Sequence, residues 1–250
     1  LRASRATPDG YTVFVHNVAP HVAGPVLYAS ATYDPIKSFE PIGALAFAPH
    51  YIVVRKEFPA KDLKEFLAYA KTNPGKINFG SAGAGSATHL ACVLFSQKTD
   101  TSITHVPYRG TGPALNDLVA GTLDLMCDQG LNMMGQATAS TVKVLAIAQK
   151  TRFAGLPNVP TTAEAGLPGF EVSAATAMYV PAGTPAAATA KLVATMAAAY
   201  KDAGVRKRIQ DLASEVPGPG QNTPADLGAF TKSEMERLTV AIKKAGLKTQ

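Results

Sequence analysis

From Asn78 to Leu90 the chain reads Asn-Phe-Gly-Ser-Ala-Gly-Ala-Gly-Ser-Ala-Thr-His-Leu, an apolar strand passing through a glycine turn directly into a helix. Glycines let a backbone approach a ligand closely, and the first amides of a helix have no intrahelical acceptor, so the chemistry on offer is anion binding. Ser81, Ala82, Gly83, Gly85 and Ser86 are placed to present backbone amides, with the hydroxyls of Ser86 and Thr88 as further donors. A carboxylate fits better than a phosphate. A phosphate-binding loop would put lysine where Ser86 stands, and a dinucleotide fingerprint would put its third glycine where Thr88 stands. No serine has glycines two positions away on both sides, as a hydrolase elbow requires. The same letters also suit a plain strand-to-helix turn with Ser86 as its N-cap. His89 and Ser86 form no convincing catalytic pair, because no acid is placed to orient the imidazole; His89 is expected to pack or bond locally.

A second polar group stands at Asp128 and Gln129, where the apolar run 123–129 ends. Open α/β sheets put their ligand loops at the carboxyl ends of strands. Asp128 would either accept from a ligand hydroxyl or ammonium or order neighbouring amides. It would repel a second carboxylate unless water intervened. Gln129 and Asn132 are neutral and adaptable. Arg109 has the charge of a carboxylate clamp, but its place in a Pro/Gly turn points it to solvent.

These residues need elements to hold them, and the chain alternates strands and helices as mixed or parallel sheets covered by helices do. Strands are expected at 11–15, 39–47, 51–55, 77–79, 123–129 and 142–148, with a further short one from Ile103. Helices are expected at 62–72, 86–97 and 112–120, and late in the chain at 186–201, 204–212 and 224–245. Segment 62–72 is amphipathic, with Leu63, Phe66, Leu67 and Ala70 on one face, and stops at Asn73-Pro74-Gly75.

At 250 residues the chain is long enough for a substantial core, and no apolar run reaches the roughly 18 residues of a membrane helix. The net charge of +6 is spread over helix faces without aromatic interleaving, which argues against nucleic acid. Cys92 and Cys127 lie in apolar surroundings. Two buried free thiols are the plain reading, and an exported compartment would also permit a bond. No metal-ligand spacing and no cofactor motif is present.

The cradle, the stretch from Ile103 to Leu118, the run 123–129, the segment Pro157 to Ala165 (PNVPTTAEA) and the turn Val180-Pro181-Ala182-Gly183-Thr184-Pro185 together resemble the Bug family. These are the TctC-like extracytoplasmic solute receptors of tripartite tricarboxylate transporters. The resemblance covers essentially the whole chain. It implies a type II periplasmic binding protein, two α/β lobes closing over a small mono-, di- or tricarboxylate in the cleft between them. It further implies a monomer, exported behind a signal peptide to the periplasm, with membrane permease subunits, or a sensor, as partners. Lobe one would comprise residues 1–50 and 176–250, and lobe two residues 51–175. His16 and Asn17 end the first strand, at the place where the family has a small polar loop facing the cleft, and would be the lobe-one contacts. The family ordinarily has a strand, a helix and a Pro/Gly-rich ligand loop before the motif found here at Pro8 to Thr12, so that part of the site is expected to be missing from this sequence. The competing reading is an α/β enzyme that holds an anionic substrate in the glycine turn.

Overall fold

A computed structural model describes residues 1–247. After a single 3-10 turn at Ala3–Arg5, the chain runs through β1 (Phe14–Asn17), α1 (Val18–Leu27), β2 (Phe39–Arg55), α2 (Leu63–Thr72), β3 (Ile77–Ser81) and α3 (Ala87–Thr99). It continues through β4 (Ile103–Pro107), α4 (Thr111–Ala120), β5 (Leu125–Gln129), α5 (Gly130–Thr138), β6 (Val142–Ile147), β7 (Ser173–Pro181), α6 (Ala186–Ala199), α7 (Ala203–Asp211) and α8 (Pro224–Lys244). The chain divides into two compact units. One comprises Leu1–Phe47 together with the chain from Ala174 onward, the other Ala48–Ser173.

In the first unit β1 pairs antiparallel with β7, from Phe14 opposite Tyr179 to Asn17 opposite Thr176. Beside this ladder His21 is buried among aromatic rings, its imidazole stacked on Tyr33 at 5.6 Å and 4.9 Å from the ring of Tyr179. Ile42, Val180 and Met196 form a further buried cluster. Helix α8 begins at a complete capping box, in which Thr223 and Asp226 satisfy each other's backbone amides.

The second unit contains the sheet that matters for binding. The second half of β2 pairs antiparallel with β5 on one side and with β6 on the other, and β3 runs parallel to both β5 and β4. Both faces are covered, so its central strands are apolar on both sides. Ile52, Val54, Phe79, Leu125 and Cys127 pack with Phe66 of α2 and Phe95 of α3, while Tyr51, Val53 and Met126 pack with Leu115 and Leu118 of α4 and Met133 of α5. Helix α2 follows its sequence signals closely: Asp62 caps the amide of Glu65, and Leu63, Phe66 and Ala70 are the buried stripe. Asp124 ties three strands together. It accepts from Arg55 Nε at 2.9 Å and from the Asn78 amide at 3.0 Å, and its own carbonyl receives the Arg55 amide at 3.2 Å.

Several sequence expectations need correction. The first strand begins at Phe14, and Tyr11 lies outside it, 92% exposed. The expected strands 39–47 and 51–55 are one strand of 17 residues. Pro49 precedes His50, where the ladder to β5 starts, so its missing N–H removes no bond from that ladder. Two helices carry no clear signal. Helix α1 contains Pro20, Gly24 and Pro25, and α5 contains two glycines, so local propensity argues against both, and tertiary burial of His21, Val22 and Met133 overrides it. Cys92 and Cys127 are not free thiols: they form a disulfide joining α3 to β5, with Cα atoms 5.3 Å apart.

Candidate functional site

In the second unit β3, β4 and β5 run parallel and lead into α3, α4 and α5 respectively, so all three helices begin at the same edge of the sheet. Each helix start carries partial positive charge and unsatisfied amides, and three together make one electropositive edge. The glycine turn lies there. Gly83 at φ +120° and Gly85 at φ +74° occupy conformations that other residues adopt only under strain. A Cβ on Gly83 would also press on the Tyr108 carbonyl at 3.3 Å.

The turn is internally bonded, which corrects the expectation that its amides are all presented outward. Buried amides need acceptors, and here the chain supplies them. The Ala82 amide donates to Thr88 Oγ1 at 2.9 Å, the Gly83 amide to Ser81 Oγ at 3.1 Å, the Gly85 amide to His89 Nδ1 at 3.0 Å and the Ser86 amide to the Gly83 carbonyl at 3.2 Å. Ser86 is the N-cap of α3 and accepts from the His89 amide at 3.2 Å, and its hydroxyl also shares a 3.0 Å hydrogen bond with that of Thr88. Ala87 and Thr88 open α3, where amides have no acceptor within the helix itself. Those two amides and one hydroxyl hydrogen of the bonded Ser86–Thr88 pair can serve as donors at this turn. Thr88 and Ser81 shape it from within, both being buried.

Beneath the turn lies a pair that the sequence did not reveal. His105 of β4 stacks on His89 with ring centroids 3.8 Å apart, and Phe79 stacks on His105 at 4.9 Å. His105 Nε2 is 2.6 Å from Ser81 Oγ. Because His89 Nδ1 accepts from Gly85, its ring proton resides on Nε2, which is buried without a partner. Burial holds both imidazoles neutral, lowering each to about 4, and for His89 the proximity of His105 adds to this. His105 stands in a short, partly exposed strand, so only three-dimensional pairing reveals it.

Helix α4 starts at Gly110, at φ +110°, with no side-chain cap, leaving the opening amides of Thr111 and Gly112 at the same edge. The Tyr108 hydroxyl donates to Asp117 at 2.6 Å and fixes the turn before that helix. Donating that bond to a carboxylate pushes the Tyr108 hydroxyl up to about 12. The Pro/Gly turn was visible in the sequence, yet its helix start was not among the expected contacts.

Asp128 closes β5 fully buried. Its Oδ1 accepts from the Gln129 amide at 2.7 Å and from Asn132 Nδ2 at 2.8 Å, whereas Oδ2 has no partner. Burial pushes its carboxyl up to about 6, against the two hydrogen bonds that favour the charged form. Gln129 takes the N-cap position of α5 without a side-chain cap bond. Thus Ser81, Ala82, Gly83, Gly85, Ser86, Thr88, Asp128 and Gln129 all gather at one sheet edge of the second unit.

His16 and Asn17 belong to the first unit. They end β1, and Asn17 immediately caps α1 by accepting from the Ala19 amide at 3.1 Å. His16 Nδ1 donates to the Asn17 carbonyl at 2.7 Å and its ring stacks on Phe14. Among the described residues no group of histidine, cysteine and carboxylate side chains could hold a metal ion. No described helix is long and apolar enough to cross a membrane.

Residues 2–247 match the family described as tripartite tricarboxylate transporter family receptor. The chain belongs to this family. Among solved structures it is similar to the periplasmic binding protein BugD, at 36% identity and a TM-score of 0.87, covering 100% of this chain and 83% of that one. MatC from Rhodopseudomonas palustris, solved with bound malate, is 38% identical with a TM-score of 0.86, covering 96% of this chain and 82% of MatC. R. palustris Rpa4515, solved with adipate, is 28% identical with a TM-score of 0.89, covering 100% of this chain and 82% of that one. The fold is therefore the mixed α/β periplasmic binding protein fold, and the protein is a periplasmic solute-binding receptor of a binding-protein family, not an enzyme.

Proposed function

We propose that this TctC-family receptor reversibly captures a small carboxylate and delivers it to the membrane permease subunits of a tripartite tricarboxylate transporter. The observation that carries this reading is the convergence of the α3, α4 and α5 starts on one sheet edge beside a glycine turn. Three helix N-termini attract negative charge without needing a buried cation, and MatC and Rpa4515, solved with malate and adipate, are relatives. The carboxylate would bond to the amides of Ala87, Thr88, Thr111 and Gly112 and to the Ser86 hydroxyl, with Asp128 and Gln129 beside it. His16 and Asn17 would complete the site from the first unit as the two units close on the solute.

Closure follows from differential affinity, since a ligand that interacts better with the closed form shifts the population toward it. Calorimetry with succinate, adipate and citrate, paired with small-angle scattering and NMR of the recovered solute, tests the proposal. Saturable binding of at least one of these, with compaction and an unaltered solute, is expected. Failure of all three to bind, or conversion of the solute, would overturn it.

A further inference from the structure

Asp128 does not fit an edge built only to receive a carboxylate. In the parallel pairing of β3 and β5, Phe79 lies beside Leu125 and Gly80 beside Met126. Continuing that register by two residues brings Ala82, the first residue of the glycine turn, alongside Asp128. Side chains alternate along a strand. Leu125 and Cys127 pack toward α2 and α3, and Met126 packs toward α4 and α5. Asp128 therefore shares the α4 and α5 face, where its Oδ1 is bound to Asn132. An acid thus stands in the first layer of an anion edge, where its charge opposes that of a carboxylate.

One of its oxygens is already satisfied twice, by the Gln129 amide and Asn132 Nδ2. The other, Oδ2, is buried and has no donor among the described residues. A buried acceptor left unmatched is costly, on the order of 1–3 kcal/mol, and native proteins rarely keep one without a use for it. Resting on the carboxylate-receptor reading above, we infer that the solute carries a hydrogen-bond donor close to its carboxylate, a hydroxyl or an ammonium group, and that Asp128 Oδ2 accepts from it. The helix starts then read the carboxylate and Asp128 reads the substituent. A site that positions a buried acceptor discriminates strongly against an analogue lacking the donor, because that analogue leaves the acceptor unpaired.

The test uses a four-carbon series of constant chain length: succinate with no donor, malate with a hydroxyl and aspartate with an ammonium group, each titrated at pH 8 by calorimetry. Malate or aspartate is expected to bind at least 10-fold more tightly than succinate, and whichever wins identifies the donor. In Asp128→Asn, which keeps an acceptor for Gln129 and Asn132 but puts an amide in place of Oδ2, the preference should shrink to under threefold. Succinate binding within threefold of both partners in the unaltered protein would overturn the inference while leaving the carboxylate reading intact. So would a full preference retained in Asp128→Asn. If that variant fails to fold, the series on the unaltered protein decides alone. Binding of none of the three, nor of adipate and citrate, would bring down both readings.

Discussion

At the residue scale the glycine turn is specified by backbone conformation, not by donors pointing outward. Gly83 at φ +120° is the more restrictive of the two glycines, because Gly85 at φ +74° lies in a left-handed region that alanine enters at a cost of about 1 kcal/mol. Gly83→Ala is accordingly expected to weaken carboxylate binding at least 10-fold, with Gly85→Ala milder, as read by calorimetry on variants that keep their melting cooperativity. Equal losses in both would mean that crowding, not backbone conformation, governs the turn. The position of the turn and of Asp128 was legible in the sequence because glycines and strand ends leave short local signatures. The bonding inside the turn was not. Whether the amide of Ala82 faces a solute or Thr88 Oγ1 depends on how the first turn of α3 settles back on β3, and the stacked pair of His89 with His105 joins residues 16 positions apart that no local pattern links.

At the scale of elements, Asp124 concentrates more of the sheet's connectivity than any surface pair. Its partly buried carboxylate joins Arg55 of β2 to the Asn78 amide of β3, just before β5 begins. Asp124→Ala should cost about 2–3 kcal/mol by leaving a donor and a half-buried guanidinium unpaired, measured by urea unfolding. Breaking the exposed Lys207 to Asp211 pair on α7 should cost less than about 0.5 kcal/mol. Comparable losses would show that Asp124 is no organising contact. Most elements were readable because their period and caps agree, as with Asp62 at α2 and Thr223 at α8. Helices α1 and α5 were not, since their prolines and glycines oppose helix locally and only packing reverses the preference.

At the scale of the molecule, buried histidines set the response to acid. His21 in the first unit and His89 and His105 in the second are each lowered to about 4, chiefly by burial, from an ordinary 6.5. The unfolded chain therefore takes up protons that the folded one refuses between about pH 6.5 and 4, and stability falls as pH drops through that window. Asp128 works the other way, being raised to about 6 from 3.8, so its contribution declines as pH rises from about 4 to 6. Three groups outweigh one, and His105 counts least because it is the least enclosed of the three. The melting temperature is expected to fall by roughly 5 °C or more between pH 7 and pH 4.5, and His89→Gln should flatten that slope. A flat or rising profile would contradict the burial of these rings. The bond between Cys92 and Cys127 adds a temporal order to the same molecule. It spans 35 residues, and closing such a loop removes about 4 kcal/mol of freedom from the unfolded chain. A periplasmic protein is made where thiols stay reduced and works where they oxidise. The second unit is thus expected to be less stable before the bond forms, and the bond, once made in an oxidising compartment, makes unfolding costlier.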